Sequence, residues 1–166
     1  MSEANLKLRW RRHAAKHGVW SRSMSPHQIP GCPDIIAMDC CASDVIREMA
    51  RGRGHWIEAK ALHAGPSAFR ASRDATAPQV AWIRTVGELG GSAWWLVLGP
   101  STWLLVPWST NEVARDEFVR RAKRYGAPPT VLFEPESPQE RKRLAEAAGR
   151  RIEAVRAESL RGRKVR

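Results

Sequence analysis

Three charged side chains stand where core strands would normally carry aliphatic ones. Asp34 heads the run Asp34-Ile35-Ile36-Ala37-Met38, and Glu58 and Lys60 lie inside His55-Trp56-Ile57-Glu58-Ala59-Lys60-Ala61. Residues two apart on a strand share a face, so Glu58 and Lys60 project together while Ile57, Ala59 and Ala61 face the other way. Pro33 holds the chain extended just ahead of Asp34. If the two runs pair as neighbours, two carboxylates and one ammonium converge on one patch of sheet. Burying three charges costs several kcal/mol unless they are paired or a cation is bound. Two hard oxygen donors beside a lysine suit Mg²⁺, which takes one or two carboxylates together with waters and substrate phosphate oxygens. The competing reading is a hairpin with an incidental ion pair on its wet face. It leaves both Pro33-Asp34 and the downstream Gln79 without a purpose.

Several elements must position these residues. Ser2 and Glu3 suit the start of a helix running to His17 and stopped by Gly18, because a hydroxyl caps the first turn and an acid there meets the helix dipole favourably. The spacing puts Glu3, Lys7, Trp10, Ala14 and His17 on one face, with Arg9, Arg11, Arg12 and Lys16 over much of the rest. Val19 to Ser23 reads as a first edge strand, and Ser25 to Gly31 as a turn-rich approach to Asp34, with His27 as a phosphate contact. Between the two acidic strands, Ser43 or Asp44 caps a short helical turn over Val45 to Ala50, followed by a basic loop through Arg51 and Arg53. Residues 61–75 contain Gly, Pro and Ser without periodicity and read as a mobile loop that holds Arg70 and Arg73 within reach of a substrate.

Thr76 and Pro78 open the next helix, which stops at Gly90-Gly91. Gln79, Trp82, Val86 and Leu89 share one face. A glutamine leading that stripe is unusual, since an unpaired buried amide is costly; at the active edge of the sheet it would bond a metal-bound water or a phosphate. Ser92 to Leu98 has too few polar residues for one wet face and reads as a central strand. Gly99-Pro100-Ser101 turns it into Thr102 to Trp108. A helix over Asn111 to Gly126, a strand-like piece at 129–133 and a basic helix over 139–161 follow.

The formal charge of +11 points to a polyanionic partner, nucleic acid before membrane. Residues 140–166 alone carry +6 of it, and this segment grips DNA, pairs with a second protomer, or stays solvated. A hydrophobic content of 43% with eight Trp excludes wholesale disorder. No apolar run is long enough to span a bilayer, and the first residues lack the apolar core of a signal peptide. Cys32, Cys40 and Cys41 are odd in number and lack a Cys-x-x-Cys spacing, which argues against a disulfide framework and against zinc and for reduced thiols in the cytoplasm.

Asp34 followed at a distance by Glu58-Ala59-Lys60 resembles the PD-(D/E)XK nuclease superfamily. The form Gly31-Cys32-Pro33-Asp34-Ile35-Ile36 is similar to the VRR-NUC and Holliday-junction-resolvase-like branch often found in phages, which also has a Gln with a following aromatic, as in Gln79 and Trp82. The resemblance covers residues 3 to about 108. It implies an α/β, restriction-endonuclease-like αβββαβ core with a mixed central sheet flanked by helices, here with one strand appended. A nuclease-like domain would then occupy residues 1–133 and a basic C-terminal helix residues 134–166. The implied activity is metal-dependent endonucleolytic hydrolysis of DNA, with branched DNA as a structure-selective substrate, in the host cytoplasm if phage-encoded. The resemblance implies Mg²⁺, with Mn²⁺ able to substitute, held by Asp34, Glu58 and the Ala59 carbonyl, and no small-molecule cofactor. Glu3 is the one acid on the first helix and inherits the helix glutamate of the family's metal site. Lys60 and Gln79 complete the catalytic set, and Lys7, Arg11, Arg12, Arg70 and Arg73 contact the nucleic-acid backbone. Two alternatives stay open: a non-catalytic nucleic-acid-binding protein on the same fold, and a nuclease acting on RNA. A structure-selective enzyme would be a homodimer; a nicking enzyme could be monomeric.

Overall fold

The computed structural model describes residues 2–24, 29–40 and 42–125, together with residues 139, 146, 149, 150, 152–154, 156–158, 160 and 161 of the C-terminal segment. Helix α1 (Glu3–Lys16) begins as its sequence requires: the Ser2 hydroxyl accepts the Asn5 N–H, and Glu3 sits in the first turn. Its buried face is Leu6, Trp10, His13 and Ala14, rotated from the expected row through Glu3 and His17. The indole of Trp10 sets the rotation by packing edge-on against Trp103, with ring centroids 6.5 Å apart. The stems of Glu3 and Lys7 then run along the rim and keep their charged ends near solvent.

Strands β1 (Trp20–Ser23), β2 (Ile35–Met38) and β3 (His55–Ala61) form an antiparallel meander, with Ile35 opposite Ile57 and Ala37 opposite His55. A short 3-10 turn and α2 (Val45–Ala50) fill the β2–β3 connection. Strand β5 (Ser92–Leu98) then lies parallel to β3, and β6 (Thr102–Pro107) returns antiparallel to β5. The parallel pair needs a crossover, and α4 (Ala77–Glu88) lies on it. Up to this point the order of elements is the one expected for a restriction-endonuclease-like αβββαβ core with a strand appended.

Both faces of the sheet are covered, and β5 shows why it reads as almost wholly apolar. Leu96 and Leu98 point into the core under α1 with Ile35, Ile57, Ala59, Trp103 and Leu105. Ala93, Trp95 and Val97 point into the opposite core with Phe69, Ile83, Leu104 and Phe118. Trp10 is fully buried in the first of these cores. Trp10→Ala is therefore expected to destabilise the protein by about 3–5 kcal/mol, measured as a lower urea midpoint at unchanged m-value.

Three expectations are corrected. Residues 61–75 do not form a mobile loop: they contain β4 (Ser67–Arg70) and α3 (Ala71–Asp74), and Ala68 and Phe69 are fully buried. The partner of β4 is β7 (Glu112–Ala114), which takes the first residues of the helix expected from Asn111. Only α5 (Arg115–Arg121) remains of that helix, and β8 (Lys123–Arg124) pairs with β6 as the sixth strand of a sheet ordered β1-β2-β3-β5-β6-β8. Neither β4 nor β7 alternates strongly by itself. What makes them strands is their pairing, with Phe69 seated on Trp95 at 5.3 Å between ring centroids. The third correction concerns α4, whose fully buried residue is Ile83, while Leu89 at the end of the expected stripe is 82% exposed.

His27, the piece at 129–133 and the expected domain boundary after residue 133 lie outside the described residues, as does much of the basic C-terminal helix; the described residues between 139 and 161 are helical. Among the described residues no helix is long and apolar enough to cross a membrane.

Candidate active site

The register that puts Ile35 opposite Ile57 brings Asp34, one residue before β2, beside Glu58 and Ala59. At this point the β2–β3 ladder is continued by side chains. The Asp34 N–H donates to Glu58 Oε2 at 3.3 Å, and the Ala59 N–H donates to Asp34 Oδ2 at 3.0 Å. In an extended strand the N–H and C=O of one residue face the same neighbour. The Ala59 carbonyl therefore faces the gap beyond the start of β2, the same side as the two acids.

Two lysines close the cluster from opposite sides. Lys60 Nζ lies 2.8 Å from Glu58 Oε1 and donates to Gln79 Oε1 at 3.0 Å. Lys7, from α1, donates to Asp34 Oδ1 at 2.8 Å and sits 3.3 Å from Glu3 Oε1. Gln79 is aimed by the start of its own helix: its Oε1 also accepts the Thr76 N–H at 2.9 Å, while the Thr76 hydroxyl caps the Gln79 N–H. That reciprocal capping box fixes the amide of a residue whose side chain could otherwise swing into solvent. The structure thus brings together Asp34, Glu58, Ala59, Lys60 and Gln79.

The loop carrying Cys32 and Pro33 is held against the same helix start. Gly31 has φ of +81°, and a Cβ there would fall 2.5 Å from the Pro78 carbonyl oxygen. Only glycine allows both that backbone conformation and that approach.

Glu58 is 1% exposed. Burial, and then the negative charge of Asp34, push its pKa up to about 7 against the opposing pull of Lys60. Its Oε1 lies 2.8 Å from the Lys60 ammonium, whose charge and hydrogen bond work against that rise. Burial works against the charge of Lys7, yet the hydrogen bond and charge of Asp34, joined by Glu3, hold its pKa above the ordinary value. Burial, together with Glu58 and Asp34, pushes the Cys32 thiol up. It sits beside the acids as an unreactive neutral group, a neighbour the sequence offered no signal for beyond its place in Gly31-Cys32-Pro33-Asp34.

These oxygens fit a hard divalent cation: a fully buried carboxylate, a second carboxylate beside it, and a backbone carbonyl facing the same gap. The third acid is held apart. Among the described residues no group of three or more His, Cys, Asp and Glu converges, and the Lys7 ammonium bridges Glu3 and Asp34. The pairing was traceable in outline, because Glu3 and Lys7 are spaced i, i+4 on one helix face.

The basic residues expected at a nucleic-acid backbone are differently disposed. Arg11 donates to the Ser21 carbonyl and the Ser23 hydroxyl at 3.0 and 2.9 Å, holding the edge strand β1 to α1. Arg70 pairs with Glu112 at 3.0 Å, joining β4 to β7, while Arg73 pairs with its neighbour Asp74 at 2.7 Å and donates to the Ser67 carbonyl of β4 at 3.3 Å. Arg12 is exposed, with no ion pair among the described residues.

No protein-family model matches the sequence, and no curated protein matches it. Among solved structures the chain is similar to Archaeoglobus fulgidus Hjc, a Holliday junction resolvase from an archaeal hyperthermophile, with a TM-score of 0.43 and 17% identity over 71% of this chain and 88% of that one.

Proposed function

We propose that this protein is a metal-dependent nuclease of the PD-(D/E)XK type, acting on DNA and selective for branched structures. The observation that carries the reading is the Glu58 carboxylate, 1% exposed, set between Asp34 and Lys60 at the end of a strand ladder. A plain structural ion pair gives no reason to bury Glu58 beside a second, half-buried carboxylate, which costs several kcal/mol.

Asp34, Glu58 and the Ala59 carbonyl would hold Mg²⁺ or Mn²⁺. When bound, such an ion polarises the scissile phosphate and lowers the pKa of a coordinated water. Lys60 steadies the attacking water and stabilises negative charge developing on the phosphorus oxygens. Its ammonium is already fixed from two sides, by Glu58 and by Gln79, so little reorganisation is needed when that charge appears. Gln79 keeps Lys60 in register, and its NH₂ group, opposite the oxygen used for Lys60, remains to orient substrate. The exposed Arg12 and the basic C-terminal segment neutralise backbone phosphates. Such contacts give affinity without sequence preference and weaken steeply with salt. A junction-cleaving enzyme would work as a homodimer carrying two such sites.

The test is cleavage of supercoiled plasmid, a four-way DNA junction and a matched RNA, with Mg²⁺ or Mn²⁺ against EDTA, for wild type and Lys60→Met. Metal-dependent cleavage lost in the variant is expected, with the junction the preferred substrate. Cleavage of RNA alone would move the substrate class. Tight, salt-sensitive DNA binding with no cleavage by wild type would favour a non-catalytic binding module.

A further inference from the structure

The two acids of the site carry two different cations, and only one has a place in the chemistry above. Lys60 lies on the same strand as Glu58 and is tied to Gln79. Lys7 comes from a separate element, α1, and takes the Asp34 oxygen that Ala59 leaves free, at 2.8 Å against 3.3 Å to Glu3. Both oxygens of Asp34 are therefore in use, one by a backbone N–H that is part of the fold and one by a flexible ammonium. Lys7 is partly exposed, its side chain at 23%, so it can leave without opening the core.

Resting on the nuclease reading, we propose that Lys7 is a resident counter-cation. It holds the Asp34 carboxylate in place, competes with the divalent cation for it, and is handed to the substrate phosphate when the cation binds. Like charges repel strongly at short range when partly shielded from water, so a divalent ion held by Asp34 would displace Lys7 from the oxygen it now occupies. It does not then lose all anchorage. Glu3, one turn earlier on α1, stays within reach and keeps the ammonium at the rim of the site. A phosphodiester arriving there meets a lysine that has just lost its carboxylate. Metal and substrate thereby favour each other's binding without any movement of the backbone, and the reciprocity is required by linkage. The arrangement also gives Glu3 a role other than metal ligand: it retains the displaced lysine.

The experiment is calorimetric titration of Mn²⁺ into metal-free, DNA-free protein, for wild type, Lys7→Met, Lys7→Arg and Asp34→Asn. Each titration is repeated with a short DNA duplex bound under conditions too brief and cold for turnover. Lys7→Met should bind Mn²⁺ about tenfold more tightly or better than wild type without DNA. It should also lose most of the gain in affinity that DNA confers on wild type. Lys7→Arg keeps the charge and should behave like wild type, which separates the electrostatic role from any general loosening of α1. Asp34→Asn should bind poorly in all conditions. Unchanged or weaker Mn²⁺ binding by Lys7→Met, with Asp34→Asn impaired, would overturn the counter-cation role and leave the metal site standing. Equal binding by Asp34→Asn and wild type would overturn the metal site and this role together.

Discussion

Glu58→Gln is expected to abolish cleavage while making the metal-free protein more stable at neutral and alkaline pH. Loss of the carboxylate removes a metal ligand and should lower the cleavage rate about 10³-fold or more, judged from what single charge-stabilising groups are worth in active sites. DNA affinity in EDTA should be nearly unchanged. The stability gain follows from the raised pKa. In the unfolded chain Glu58 titrates near 4.5, and in the folded protein at about 7. A carboxyl group whose pKa is raised by folding stabilises the fold while it is protonated. That stability is present below the unfolded value and is lost as pH rises through the folded value. Wild type should therefore lose on the order of 3 kcal/mol between about pH 4.5 and pH 7 from this one group. Glutamine mimics the protonated form and escapes that loss. His13 works the other way: burial, with the charges of His17 and Lys16, lowers its pKa to about 4, so its contribution is lost as pH falls from about 6.5 towards 4. The two windows overlap and the two trends oppose each other, so urea unfolding in EDTA should show a shallow net pH dependence for wild type, and for Glu58→Gln a rise in stability between about pH 4 and 6.5 that wild type lacks. A variant with wild-type cleavage would remove Glu58 from the site, whatever its stability.

Lys60→Met is expected to abolish cleavage as well, by about 10²–10³-fold, but with the opposite effect on stability. Its charge is what restrains the pKa of Glu58, so its removal leaves a buried carboxylate beside Asp34 with no compensating ammonium. Breaking a buried pair from one side costs about 3–5 kcal/mol when the remaining charge cannot escape. Glu58 can escape by taking up a proton, so its titration should move above 7, readable from its carboxyl carbon shift by NMR. At about pH 8 the cost should be a few kcal/mol. The double variant Glu58→Gln/Lys60→Met should recover most of it, because neither charge is then stranded. If the two single variants change stability in the same direction, the close pairing of Lys60 with Glu58 is not what governs the site.

Much of this site was visible in the order of residues. Asp34 after Pro33, Glu58 and Lys60 two apart, and Gln79 three residues into a helix capped by Thr76 are local signals. Each is read through the backbone over a few positions: a strand alternates its faces, a hydroxyl caps a helix, and a proline extends the chain before it. For the same reason α1, β1, β2, β3, α4, β5 and β6 were expected close to where they stand. The doubly apolar pattern of β5 even announced that both faces of the sheet would be covered.

What the sequence could not determine depends on which distant segments meet. Ser67 to Arg70 is a strand because β7 lies beside it, more than forty residues later, and pairing energy of that kind leaves no periodic trace in a four-residue run. The rotation of α1 was decided by the meeting of Trp10 with Trp103, and that of α4 by the burial of Ile83, both choices made by shape in the assembled core. The same holds for the charges. Nothing near Arg70 or Arg73 in the chain tells that Glu112 will claim the first, and nothing near Lys7 tells that its ammonium will reach Asp34. Residue types and short spacings determined which groups could do the chemistry. The tertiary structure alone decided which cation faces which acid, because Coulomb and hydrogen-bond energies depend on separations in space that the chain sets only once it has folded.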